Sequence, residues 1–353
     1  MNIISAPLRQ RGAYILGQIM TLIKNSILML FGRMDPSGIR TNFQNLIYGM
    51  SILDPRLLPF EISQGTGIRY LRGLVPEAEA TIATSYETAL PARLTGSGKR
   101  HYFMQHYEPY FSNESPDPEL ARITALQSYS LGLSMIANST WLHDKISVET
   151  GAHNIKLCLN AIDHRTFTGK PRIAVDAKAI TIISYGGRNA EWKGFREMAQ
   201  AVSIARNRLA DRNISWRVYG DALLPPDNDI ASYESLGFLE PVKLAAAYRD
   251  ADMLLSASWY ESFPLFPLEA MACGLPVITT QYGTEDYAFH EETAHIVEAK
   301  SPENIAEGII RLIEDAGYRT RLAENGHGIS RNFTWEKSVE TMESLLISDS
   351  PRS

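Results

Sequence analysis

The chain has 353 residues, which at about 150 residues per domain points to two domains and a core that needs no disulfide or metal staple, and so excludes a single small binding module. A composition 44% hydrophobic and 21% charged excludes wholesale disorder and collagen-like repetition. With 34 basic against 40 acidic residues the formal charge is -6, which gives no electrostatic reason for a nucleic-acid partner, and Cys158 and Cys273 show neither metal-ligand nor disulfide-framework spacing, as suits the reducing cytoplasm.

Residues 1–34 carry no Asp or Glu but hold Arg9, Arg11, Lys24 and Arg33, with apolar runs over 14–22 and 27–31. Gln18, Lys24, Asn25 and Ser26 interrupt the roughly 20 apolar residues that a membrane span requires, and no small-residue cleavage site follows. Ile15, Ile19, Leu22 and Ile23 fall at helical spacing, which leaves two readings of residues 8–23. One is an amphipathic helix on an anionic membrane surface, the other a helix packed on its own domain. The expected location is cytoplasmic, with peripheral contact at the inner face of the membrane under the first reading.

Farther on, residues 26–31 lead into a turn-rich loop at 32–38, a helical pattern at 41–52 and a strand pattern at 57–62. Strands are predicted at 80–85, 101–105 and 133–138, alternating with helices at 87–94 and 141–148. Residues 170–178 read as a linker. A second series follows: strand 179–184, helix 195–209, strand 215–219, helix 241–250, strand 252–256, helix 268–273 and strand 277–280. Ser301 then caps a helix that carries Pro302 in its first turn and runs to 314. This alternation predicts an α/β fold of two Rossmann-like domains with parallel, doubly wound sheets, over 26–172 and 173–330, preceded by a basic apolar extension at 1–25. Ligands in such sheets bind beyond the carboxyl ends of the strands, so the site is expected in a central cleft.

The most specific segment runs from Tyr260 to Ile278 and holds Glu261 and Glu269. The intervening Ser262-Phe263-Pro264-Leu265 loop can aim backbone N–H groups at an anion, and the following helix adds a positive dipole end. Glu269 can accept hydrogen bonds from a ribose diol, and Glu261 can reach a second polyol group. Taken alone, two such glutamates are ordinary solvated carboxylates.

In context the segment resembles the Glu, seven residues, Glu motif of retaining GT-B glycosyltransferases of the family 4 group, including the run Ala270-Met271-Ala272-Cys273-Gly274-Leu275-Pro276-Val277-Ile278. Gly186 to Gly194, with Gly187, Arg188 and Lys193, is similar to that family's strand-end loop. Asn160-Ala161-Ile162-Asp163 resembles its Asn-Gly-Val-Asp segment, with Ala161 for Gly, while Leu236 to Leu239 and Tyr248 to Asp252 match its strand and helix ahead of the glutamates. Ser262 replaces a common Gly, which bears on the donor sugar. Thr334 and Trp335 resemble the start of the terminal helix, here 331–353, that in this fold crosses back to the first domain. A narrower resemblance joins Tyr102 to Phe111 with the Gln-Asp-Tyr-Glu-Pro segment of a branch containing bacterial rhamnan and S-layer glycan rhamnosyltransferases, with His106 in place of Asp.

The resemblance implies transfer of a sugar from a nucleotide-diphosphate donor to a hydroxyl of a glycan or lipid-linked glycan, with retention and without a metal or other cofactor. The setting it implies is bacterial polysaccharide or O-antigen assembly, and the narrow reading is a rhamnosyltransferase. Arg188 and Lys193 would hold the diphosphate, whose charge grows as the glycosidic bond breaks. Glu269 would take the ribose and Glu261 the donor sugar, in a front-face substitution assisted by the leaving phosphate. Gln105, His106 and Glu108 are expected on the donor sugar or acceptor, as is Gly38, the glycine left in the turn at 35–41. Two alternatives stay open: a sugar-nucleotide epimerase of the same fold, and a non-catalytic partner that binds sugar nucleotide or glycan. Gly65-Thr66-Gly67 and Gly96-Ser97-Gly98 lack the third glycine of a dinucleotide fingerprint, and His290 to His295 holds one residue too many for a zincin helix.

Overall fold

The computed structural model describes residues 78–347, apart from 97, 116, 174–177, 188–189, 222 and 226–229. The expected elements at 26–62, the basic extension, Gly38 and Arg188 lie outside the described residues. The chain divides into two compact units, one holding residues 78–137, 143–158 and 339–347, the other holding 138–142 and 159–338.

In the first unit β1 (Ala80–Ala83), α1 (Tyr86–Thr95), β2 (Lys99–Met104), a 3-10 turn (Glu108–Glu114), α2 (Pro118–Ser128), β3 (Ser134–Ala137), α3 (Thr140–Thr150), whose first three residues belong to the second unit, and β4 (Lys156–Leu157) follow in order. The four strands lie side by side in sequence order, and every pairing is parallel. Asp117 starts α2 by accepting from the Leu120 N–H at 3.1 Å, with Pro118 in the first turn where its missing N–H costs nothing. Phe103, Ile136 and Cys158 form a buried group that Met342 and Leu345, near the chain end, pack against.

The second unit runs β5 (Ala179–Tyr185), α4 (Phe195–Arg208), β6 (Asn213–Tyr219), β7 (Glu234–Gly237), α5 (Pro241–Asp250), β8 (Met253–Leu255), α6 (Leu265–Ala272), β9 (Val277–Thr280), β10 (His295–Val297), α7 (Pro302–Glu314), α8 (Ala316–Ser330) and the start of α9 (Trp335–Ile347). Its strands are ordered β10-β9-β8-β5-β6-β7, all parallel. The chain therefore works outward from β5 in one direction, then returns and works outward in the other. That is the doubly wound order expected from the alternation, and it leaves a crevice where the loops after β5 and β8 diverge.

Helices cover both faces, so the strands are nearly continuous apolar runs. Residues of α4 and α7 close around Trp216 and Ile182, while residues of α5 and α6 close around Tyr248, Ile183 and Tyr287. Trp216 is 1% exposed, and its indole N–H donates to the Ser184 hydroxyl at 3.0 Å, so Trp216→Ala would cost roughly 3–5 kcal/mol. Helix α6 begins at Leu265, three residues before the predicted start. Pro264 occupies the N-cap and Pro267 the first turn, positions where proline is compatible with a helix start.

Candidate functional site

The crevice between the β5 and β8 loops is closed by backbone contact. Gly194 caps α4 in the left-handed region at φ 70, and a Cβ there would lie 2.1 Å from the Ala257 carbonyl oxygen. The Trp259 N–H donates to the Trp192 carbonyl at 2.7 Å, so the loop after β5 is pressed onto the loop after β8. Only glycine permits that approach.

The approach delivers one ion pair. Lys193, in the 3-10 turn Glu191–Lys193, places its ammonium on Glu261 Oε1, and the Ser258 hydroxyl donates to the same oxygen at 3.2 Å. Glu261 is 8% exposed. The Lys193 ammonium also lies 4.1 Å from the Trp192 ring centre and 5.8 Å from that of Tyr185, and Trp192 stacks on Tyr260 at 5.4 Å. A small pocket opens here, with Tyr185, Tyr219 and Phe266 as its aromatic lining and Lys193, Ser256, Ser258 and Glu261 as its polar lining.

One turn past Phe266, Glu269 has an oxygen, Oε2, that is closed to solvent and meets no hydrogen-bond partner among the described residues. Burial pushes its carboxyl up to about 8. Its charge is felt by the buried hydroxyls of Tyr219 and Tyr248, which bond each other at 2.7 Å. A buried carboxyl without donors is costly, and a ligand diol supplies donors. No side chain caps the start of α6, which leaves that helix end available to negative charge.

Lys193, Glu261 and Pro264 line this pocket, Glu269 lies on the helix that Leu265 begins, Gly187 follows β5, and Ser262 is buried with its hydroxyl on the Asn138 amide. Phe263, also expected on the donor, is 5% exposed and packs on Tyr287 and Phe333. Gln105, His106 and Glu108 belong to the first unit. Gln105 Nε2 donates to the Thr84 carbonyl at 3.1 Å, and exposed His106 meets Phe111 edge-on at 5.1 Å. Glu108 Oε2 accepts from the Tyr86 N–H at 2.8 Å, at the start of α1, and from the Tyr102 hydroxyl. Burial pushes the Glu108 carboxyl up to about 7 against those two hydrogen bonds. Tyr185, Tyr219, Ser258 and Phe266 escaped the sequence reading. Ser258 stands three residues before Glu261, and the others carry no chemical signature until the strands and α6 bring them together.

Residues 180–315 match the profile of glycosyl transferases group 1. The D-inositol 3-phosphate glycosyltransferase of Corynebacterium glutamicum is 30% identical over 215 residues, 57% of this chain and 51% of that protein. The chain spans about half the length of the inositol phosphate glycosyltransferases it matches. The O-antigen biosynthesis protein RfbC of Myxococcus xanthus is 26% identical over 279 residues, 77% of this chain and 21% of that protein. Among solved structures, Anabaena HepE in complex with UDP and glucose superposes with a TM-score of 0.64 at 17% identity, covering 83% of this chain and 82% of that one. Sucrose-phosphate synthase of Thermosynechococcus elongatus does so with a TM-score of 0.62 at 19% identity, covering 76% and 73%. At such identities the likeness is one of fold: α/β units with parallel sheets, as in GT-B glycosyltransferases.

Proposed function

We propose, on the premise that the second unit carries a glycosyl transferases group 1 domain, that the chain transfers a sugar from a nucleoside-diphosphate donor to a hydroxyl of a glycan or lipid-linked glycan. The carrying observation is the Lys193–Glu261 pair at the crevice, together with the unpartnered oxygen of Glu269 on the helix that follows. Together they offer one group for each of the three parts of such a donor. Glu269 takes the ribose diol, the α6 start and Lys193 take the diphosphate, and Glu261 takes a hydroxyl of the sugar.

In the ligand-free protein Lys193 and Glu261 satisfy each other. A donor phosphate draws the ammonium away, which frees Glu261 Oε1 to accept from the sugar while Ser258 continues to orient it. The positive charge then stands where negative charge accumulates as the glycosidic bond to phosphate breaks, and that is the interaction that lowers the barrier. With no carboxylate assigned as nucleophile, the reading is front-face substitution with retention, the leaving phosphate taking the acceptor proton, and it requires no metal. Polysaccharide or O-antigen assembly is the proposed setting, and rhamnosyl transfer remains its narrow form.

The deciding experiment is a thermal-shift and turnover screen against UDP-, GDP- and dTDP-sugars, with and without glycan acceptors. The expected result is a shift with one nucleotide, acceptor-dependent nucleotide release, and loss of both in Lys193→Ala. Conversion of the free sugar nucleotide without acceptor would support the epimerase, and binding without turnover would support the non-catalytic partner. No shift with any nucleotide would remove the reading.

A further inference from the structure

We propose that Asp286 is a positioning residue for Glu261, acting through a polar clamp that joins three segments of the second unit: 138–140, 261–262 and 283–286. The proposal deepens the sugar-transfer reading and rests on it for its catalytic consequence.

The clamp is built from both ends of one carboxylate. Asp286 Oδ2 accepts from the Thr140 N–H at 3.0 Å, and Oδ1 accepts from the Thr140 hydroxyl at 2.5 Å. Thr140 is the first residue of α3, so its N–H is one that the helix itself leaves unsatisfied, and the helix dipole favours a negative charge there. The preceding turn is fixed in its own right, because the Ser139 hydroxyl accepts from the Leu142 N–H at 3.1 Å. From that turn the Asn138 amide donates to Ser262 Oγ at 3.3 Å, and both residues are buried.

The third side of the triangle is steric. Gly283, at φ 75, lies so close to the Glu261–Ser262 backbone that a Cβ would stand 2.6 Å from the Glu261 carbonyl oxygen. Tyr287, next to Asp286, donates its hydroxyl to the Pro264 carbonyl at 2.6 Å. The Glu261–Ser262 segment is therefore held by the backbone approach of Gly283 and by the Asn138 bond to the Ser262 hydroxyl, and Asp286 ties those two holders together. Asp286 does not line the pocket, so its effect on chemistry passes through the aim of Glu261. Ser262 fits the same scheme: its hydroxyl is used for the bond to Asn138, a connection that glycine lacks.

The test compares the full chain with Asp286→Asn, Thr140→Val and Thr140→Ser. Asn has one acceptor oxygen where Thr140 presents two donors, and Val removes the hydroxyl, whereas Ser keeps both donors. Hydrogen exchange of the amides in 258–266 should quicken about tenfold in Asp286→Asn and Thr140→Val, stay at the wild-type rate in Thr140→Ser, and remain unchanged in α7 and α8. Transfer kcat should fall by about ten- to a hundredfold in the first two variants, with donor KM held within about threefold, as expected for misaimed chemistry. Wild-type exchange over 258–266 in Asp286→Asn would overturn the clamp. An equal loss of protection in α7 and α8 would overturn it too, by reducing Asp286 to a general stability residue. If loop exchange and kcat part company, with the loop loosened and kcat unchanged, the positioning role falls. If the wild-type protein transfers no sugar at all, it is the functional reading that fails, and the exchange contrast still decides the clamp.

Discussion

Lys193 and Glu261 neutralise each other where neither is well hydrated: their side chains are 16% and 9% exposed. Removing one partner of such a pair strands the other charge, so single substitutions carry a stability cost that is separate from catalysis. We expect Lys193→Ala to lower transfer by about a hundred- to a thousandfold, the range for deleting one preorganised donor of charge stabilisation. We also expect Lys193→Met to unfold at lower urea concentration than the double variant Lys193→Met/Glu261→Gln, although the double variant is equally inactive. A double variant no more stable than the single would show that the pair contributes nothing by mutual neutralisation. The glutamates and Lys193 were legible in the sequence because their spacing and neighbours form a long motif. Asn138 was not, since its bond to Ser262 depends on segments remote in sequence meeting, nor was Ser258, a lone serine three residues before Glu261. The bond that Glu108 accepts from the Tyr86 N–H at 2.8 Å was not legible either, since nothing in a carboxyl at a strand end announces the helix start it meets.

At the scale of elements, the strands and helices around the crevice were readable from apolar runs and caps, with α5, β9 and α7 bounded as predicted. Helices α2 and α8 were not read. In α8, Gly317, Gly326 and Gly328 depress helical propensity, and what holds it is tertiary: buried Arg319 donates to the Leu312 and Ile313 carbonyls at the end of α7. The β5–α4 loop depends on a single glycine. Gly194→Ala meets both the left-handed strain, about 1–3 kcal/mol, and the Ala257 carbonyl oxygen 2.1 Å from the new Cβ. Gly237→Ala, at φ 61 with nothing within 4 Å of its Cβ, meets the strain alone. Gly194→Ala should therefore be the more destabilising of the two in urea, and it should also weaken nucleotide binding by moving Lys193. Equal urea midpoints would contradict the close approach of the two loops.

For the whole molecule, the buried titratable groups set a pH profile whose sign follows from proton counts. Burial raises Glu269 to about 8 and Glu108 to about 7, and Glu285, in the loop after β9, is likewise raised to about 7. Between the ordinary carboxylate range and these values the folded chain holds protons that the unfolded chain has lost, so their contribution is lost as pH rises toward 8. His295 works the other way. Burial, with His290 and Arg311 nearby, lowers it to about 4, and His327 is lowered in the same direction by burial and Arg331. For both the unfolded chain takes up protons first, so stability is lost as pH falls below the ordinary histidine value, for His295 down to about 4. In mildly acid solution the two slopes oppose each other, and above the histidine range only the carboxyl slope remains. Tm should therefore decline between about pH 6.5 and 8.5 in the ligand-free protein. Glu269→Gln should flatten most of that decline, while His295→Gln should leave it intact and change only the acid side. A nucleotide that supplies hydroxyl donors to Glu269 should stabilise its ionised form, so the ligand-induced rise in Tm should grow as pH increases through 8. A ligand-induced shift independent of pH, alongside an unchanged alkaline decline in Glu269→Gln, would place the ribose away from Glu269.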